Sequence, residues 1–308
     1  MDTLQKDAEM GTLIVKRYRT SLALKAADHT YVECGTGAKG WGCWGGKTGG
    51  ATFRQAAGST RRADAIARAD EKAGISCYLL SGVCHQASNR ILQAADRSVD
   101  GVRGYTLSVA AFGHYGREQT LLARCHSPLF EHHDVCGDLL ECRDIELGEN
   151  HTNLEPDGRE LYDYSDAIYM SEVRSIYSRN SRLRNPDYQQ LFESQMALFC
   201  ALIGHRARRA GMELERWKQQ RVIKARERFE EGRMGAELEV SGFNQLLEFA
   251  NQFNTLTHSF QDDLANALDS MEYGALLGLS RDERIVLADP DILKDAYVPP
   301  SGPRGPSL

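Results

Sequence analysis

No stretch of this chain approaches the roughly 20 consecutive apolar residues that cross a bilayer, so no membrane span is expected. The opening "MDTLQKDAEMGTLIVKRYR" is acidic and mixed and lacks the apolar core of a secretory leader. The expected location is the cytoplasm, with export by a signal-less route left open. Positive charge is not in excess: 37 basic residues stand against 43 acidic ones, a formal net charge of −6. That balance argues against a chain-wide footprint for nucleic acid while leaving room for a local basic patch, and no nucleic-acid partner is expected. There is no internal repeat and no C-x-x-C pair. The eight cysteines, without an export signal, read as reduced thiols rather than a disulfide framework.

What is present is the composition of a globular protein, with 42% hydrophobic and 26% charged residues over 308 positions. Such a length holds one large domain or two ordinary ones. The pattern divides into two grammars. Residues 12–24, "TLIVKRYRTSLAL", are rich in β-formers, and "HTYVEC" at 29–34 alternates, with His29, Tyr31 and Glu33 on one side. Half of the residues in "GTGAKGWGCWGGKTGG" (35–50) are glycine, which predicts hairpin turns. A Ser/Thr cap opens a helix over 59–74 and Gly74 closes it. "ISCYLL" (75–80) predicts a buried strand, Cys84 to Ala95 a helix, and "GYTLSVAAFG" (104–113) another strand.

Beyond about residue 160 the pattern is helical. One helix runs from Pro186 to Gly211 and a second, charged helix over 212–232 turns Leu214, Trp217, Val222 and Ile223 inward. Ser241 caps a third, in which Phe243, Leu246, Leu247, Ala250, Phe253, Leu256 and Phe260 trace one face. "ERIVLADP" (283–290) predicts a late strand returning to the sheet, and the Pro/Gly/Ser-rich tail at 299–308 predicts disorder. The expected organisation is an α+β domain over 1–160, a helical region over 161–298, and the tail.

The stretch "SGVCHQASNRIL" carries the strongest chemical signal. A strand, a Ser-Gly turn and a helix beginning at Cys84 place a sulfur where backbone N–H groups and the helix dipole favour an anion. A cysteine attacks as its thiolate, and the same amides can hold an oxyanion. His85 is a poor partner, because adjacent helical residues diverge by about 100°. It is expected to cap the helix or face solvent. His29, opening the strand "HTYVEC", is the better base, on condition that the strand lies beside the helix start.

A strand histidine followed by a cysteine that opens a helix resembles the circularly permuted papain-like cysteine amidases. That superfamily includes lecithin:retinol acyltransferase and bacterial cell-wall and lipoprotein amidases, and the likeness covers residues 12–115. The resemblance implies a small antiparallel sheet packed on helices, a thioester route on a peptide, amide or acyl substrate, and no cofactor. It makes Cys84 the nucleophile and His29 the base. Val83 stands where such enzymes commonly carry asparagine.

Two other classes stay open. One is a binding or adaptor protein in which the helical half carries the interaction and Cys84 is a packed thiol. The other is a zinc protein built on Cys125, His126, His132, His133, Cys136 and Cys142, although their spacing fits no strong ligand pattern. "GGKT" at 45–48 lacks the upstream glycine and the strand-to-helix context of a phosphate loop. The arginines of 174–186 read as a solvated connector. Oligomeric state is not readable from the sequence.

Overall fold

A computed structural model describes residues 10–19, 27–34, 40–41, 50–64, 79, 82–95, 97–113, 196, 199–200, 202–238 and 246–290. The expected boundary near residue 160, the Cys/His cluster of 125–142, the arginines of 174–186 and the tail lie outside them. So does the expected strand 75–80, apart from Leu79. Within the described residues the fold is α+β, a small antiparallel sheet packed on helices.

The sheet has the order β3-β2-β1-β4, with β1 Met10–Arg19, β2 Asp28–Cys34, β3 Gly40–Trp41 and β4 Ala51–Ser59. β1 pairs antiparallel with β2, placing Val15 opposite Val32 and Tyr18 opposite His29. Because strand side chains alternate, one face carries Leu13, Val15, Thr30 and Val32, and the other Lys16, Tyr18, His29, Tyr31 and Glu33. The first face is the inner one. Leu13, Val15 and Val32 are buried against Ile91, Leu92, Val99, Val102, Tyr105 and Val109.

Those partners come from α1 (Cys84–Leu92) and α2 (Tyr105–Phe112) and the loop between them. The second segment is a correction: "YTLSVAAF" is a helix, not a strand. All eight of its residues are buried, so its sequence shows neither a period of two nor one of 3.6. β4 was not foreseen, since its exposure follows no clean alternation.

The helical region supplies α3 (Arg216–Leu238), α4 (Leu246–Ala267) and α5 (Ser270–Leu277), and helix also runs over 202–209. On the second expected helix Leu214, Val222 and Ile223 are buried as the spacing requires. Trp217 instead stays 45% exposed, flanked by the cations of Lys218 and Arg221. Phe199, Phe229, Phe253 and Phe260 pack ring on ring and share one apolar cluster with Val83, Ala87, Leu107 and Phe112. α5 begins on a capping box, Asp269 accepting from the Glu272 amide while the Glu272 side chain accepts from the Asp269 amide.

The expected strand 283–290 returns to the sheet without becoming one. Only Val286 bridges, its carbonyl accepting from the Ala27 amide at 3.0 Å. Five other backbone groups of the segment are met by side chains of α4. Asn254 accepts from the amides of Leu287 and Ala288 and donates to the Ala288 carbonyl at 2.8 Å. Gln261 accepts from the Ile285 amide at 2.8 Å and donates to the Glu283 carbonyl at 3.0 Å. Two carboxamides thus stand in for a neighbouring strand. Asn254→Ala is expected to cost about 2–4 kcal/mol, because it strands three buried backbone groups at once. A urea midpoint matching that of the exposed Thr255→Ala control would show that the tether carries no load.

Candidate functional site

The candidate site forms where the start of β2 meets the start of α1. Gln86 closes the helix start by accepting from the Val83 amide at 3.1 Å, while its own amide group reaches the Gly113 carbonyl at 3.0 Å. One side chain therefore caps α1 and ties it to the end of α2. Just upstream Leu79 holds φ at 70°, a left-handed conformation costly for a leucine, and its amide donates to the Gly82 carbonyl at 2.7 Å.

Cys84 is brought against β2 on both sides of His29. Its sulfur lies 3.9 Å from the Asp28 carbonyl oxygen, and its own carbonyl accepts from the Thr30 hydroxyl at 3.3 Å. The Thr30 hydroxyl also lies 3.0 Å from that of Ser88. The strand lies beside the helix start. The Asp28 amide bonds outward to the Arg103 carbonyl at 3.0 Å, away from β1. In an antiparallel strand the carbonyl of the same residue points the same way. The sulfur therefore sits against the edge of β2 rather than over its inner face. Among the described residues β3 pairs with Val32 and Glu33, and the helix start meets the other end of this edge.

The His29 ring occupies the outer face of the sheet, packed on Tyr18 with centroids 4.8 Å apart, and the residue is 2% exposed. Glu33, further along that face, accepts from the Tyr31 hydroxyl at 3.1 Å and pairs with Lys16.

The expectation for His85 is corrected: it neither caps the helix nor faces solvent, and it is fully buried. Its Nε2 lies 2.7 Å from the Asp28 carbonyl and its Nδ1 2.9 Å from the Ser108 hydroxyl. A carbonyl only accepts, so a proton sits on Nε2, while the Ser108 hydroxyl beside Nδ1 also reaches the Tyr105 carbonyl at 2.8 Å. Burial lowers its pKa from 6.5 to about 4, outweighing the Asp28 carbonyl and carboxylate, which pull the other way. At neutral pH His85 is an uncharged strut between β2 and α2. It fixes the carbonyl that the sulfur touches.

Asp28 is the residue that joins the site, and the sequence reading missed it. Its carboxylate accepts from the Arg103 amide at 3.3 Å and pairs with Arg17 at 3.7 Å. Asn89 does similar work deeper in α1, accepting from the Val99 amide at 2.9 Å. Only Gln86 carried a readable signal, a glutamine at the third helical position where such residues cap the helix start. Asp28, Ser108 and Asn89 look in sequence like any strand or helix polar residue.

Among the described residues no group of three or more His, Cys, Asp or Glu side chains is arranged to hold a metal ion, and no helix is long and apolar enough to cross a membrane. The chain matches no family model, no curated protein and no solved structure. A functional reading therefore rests on the residues and their geometry.

Proposed function

We propose that the chain is a cysteine-dependent amidohydrolase or acyltransferase acting through a thioester on a peptide, amide or acyl substrate. The observation that carries this reading is the seat of Cys84. Its sulfur sits at a helix start and against the strand edge, in contact with the residues that flank His29. Helix-start amides favour both the thiolate and the oxyanion that follows attack.

In the proposed cycle His29 takes the Cys84 proton and leaves a thiolate. The thiolate attacks the substrate carbonyl carbon and forms the C–S bond. The C–N or C–O bond breaks, and the leaving group departs with the proton held on His29. Water or a second nucleophile then gives its proton to the imidazole, attacks the thioester and releases Cys84. His85 acts as a positioning residue throughout, since it holds the Asp28 carbonyl and contacts no reacting atom.

Cys200 supplies a matched control, because both thiols are buried, 6% exposed for Cys84 and 2% for Cys200. Iodoacetamide near neutral pH is expected to alkylate Cys84 at least about tenfold faster, with a rate midpoint below the ordinary thiol value of about 8.5. His29→Gln should move that midpoint upward while leaving Cys200 unchanged. Equal rates at the two cysteines would remove the nucleophile, and a midpoint unmoved in His29→Gln would remove the base.

A further inference from the structure

On the opposite flank of Asp28 lies a cavity of about 310 Å³, within the lower range of small-molecule sites. It shares Asp28 with the candidate site, since the Cys84 sulfur lies against the Asp28 carbonyl. Its walls carry charges of both signs. Arg17, Arg103 and Arg206 supply three guanidinium groups, and Asp28 and Glu283 supply two carboxylates.

These charges are not equally engaged. Arg103 is saturated on Glu283, which it meets through both its Nε and an Nη. Arg17 reaches Asp28 only at 3.7 Å, beyond hydrogen-bond length, and its guanidinium sits over the Phe53 ring. Arg206 spends one Nη on Asp100, while its Nε is buried with no hydrogen-bond partner.

The helix ends around the cavity are of opposite sign. Thr106, in the first turn of α2, lines one part, and α2 starts on Gly104 with no side-chain cap. Leu277 and Gly278, at the end of α5, line another. A helix start favours negative charge and a helix end favours positive charge. Counting Asp100 with Arg206, three guanidinium groups face three carboxylates, so a simple anion gains no net attraction. A ligand that carries both charges matches every wall.

We propose that this cavity binds a small zwitterion of the α-amino acid type. Its carboxylate lies toward Arg17, Arg206 and the start of α2. Its ammonium group lies toward Asp28, Glu283 and the end of α5. The planar arginine fork suits a carboxylate in two-point contact. This proposal does not rest on the thioester reading, since it requires no reaction at Cys84.

The test is a calorimetric titration of the full chain with the standard L-amino acids at millimolar concentration. At least one is expected to bind. Its N-acetyl form, which lacks the ammonium, and its methyl ester, which lacks the carboxylate, should each bind at least about tenfold more weakly. Arg17→Gln and Arg206→Gln should each weaken binding to a similar degree, whereas Arg284→Gln, whose partner is Asp262 outside this cavity, should not. Should Arg206→Gln fail to fold, Arg17→Gln decides the matter, since Arg17 is partly exposed and makes no short ion pair. Binding by none of the amino acids overturns the proposal. Undiminished binding of the acetylated form or by Arg17→Gln overturns it equally.

Discussion

Acidification from pH 7 to pH 4 is expected to remove about 3 kcal/mol of folding stability through the single side chain of His85. In the folded chain its pKa is lowered from 6.5 to about 4 by burial. The unfolded chain takes up a proton near pH 6.5, while the folded chain resists until about pH 4. Stability tied to this residue is therefore complete above pH 6.5 and lost as pH falls through that window, at about 1.4 kcal/mol for each unit. Carboxylates titrate in the lower part of the same range, so the wild type alone does not isolate the effect. The informative measurement is the difference in urea midpoint between pH 7 and pH 4.5, in wild type and in His85→Gln. The variant should lose much less on acidification. Identical losses would mean that the imidazole is not buried in its neutral form.

Gly104→Ala is expected to cost about 2–5 kcal/mol, combining backbone strain with a steric clash. Gly104 has φ of 84°, a region where a Cβ is strained. A Cβ built there would lie 2.7 Å from the Ala27 Cβ and 3.3 Å from both the Ala27 Cα and the Ile285 side chain. Three segments meet at that point: the lead into β2, the start of α2 and the tethered segment 283–288. Displacing Ala27 pulls Asp28 from Arg103, and with it the carbonyl that Cys84 and His85 share. Gly278→Ala is the matched control, since φ is 69° but no atom lies within 4 Å of a Cβ there. It should cost only about 1 kcal/mol, the strain alone. If the two variants melt together, the close approach at Gly104 is not real.

Several elements were readable before any coordinates. The alternation of "HTYVEC" and the β-rich run before it placed β1 and β2, and the 3.6-residue spacing of Ala250, Phe253 and Phe260 placed α4. Local patterns persist wherever an element has one wet and one dry side. "YTLSVAAF" has no wet side, so helix and strand were equally consistent with its composition and its flanking glycines. The segment 283–288 looks like a strand because of its apolar run Ile285 to Ala288, yet its backbone is held by two carboxamides from a helix some 30 residues earlier.

The candidate site divides in the same way. Cys84 at a helix start was legible, because that seat depends on residues next to it. The role of Asp28 was not, because it arises from contacts with Cys84, His85, Arg17 and Arg103, which the chain brings from three separate stretches. Sequence by itself determined the strand-and-helix grammar, the likeness of charge totals and the position of the thiol within its helix, since each is encoded over a few neighbouring residues. Only the tertiary structure decided which histidine is a neutral strut, which face His29 occupies and where three arginines converge, since those depend on distances between residues remote along the chain.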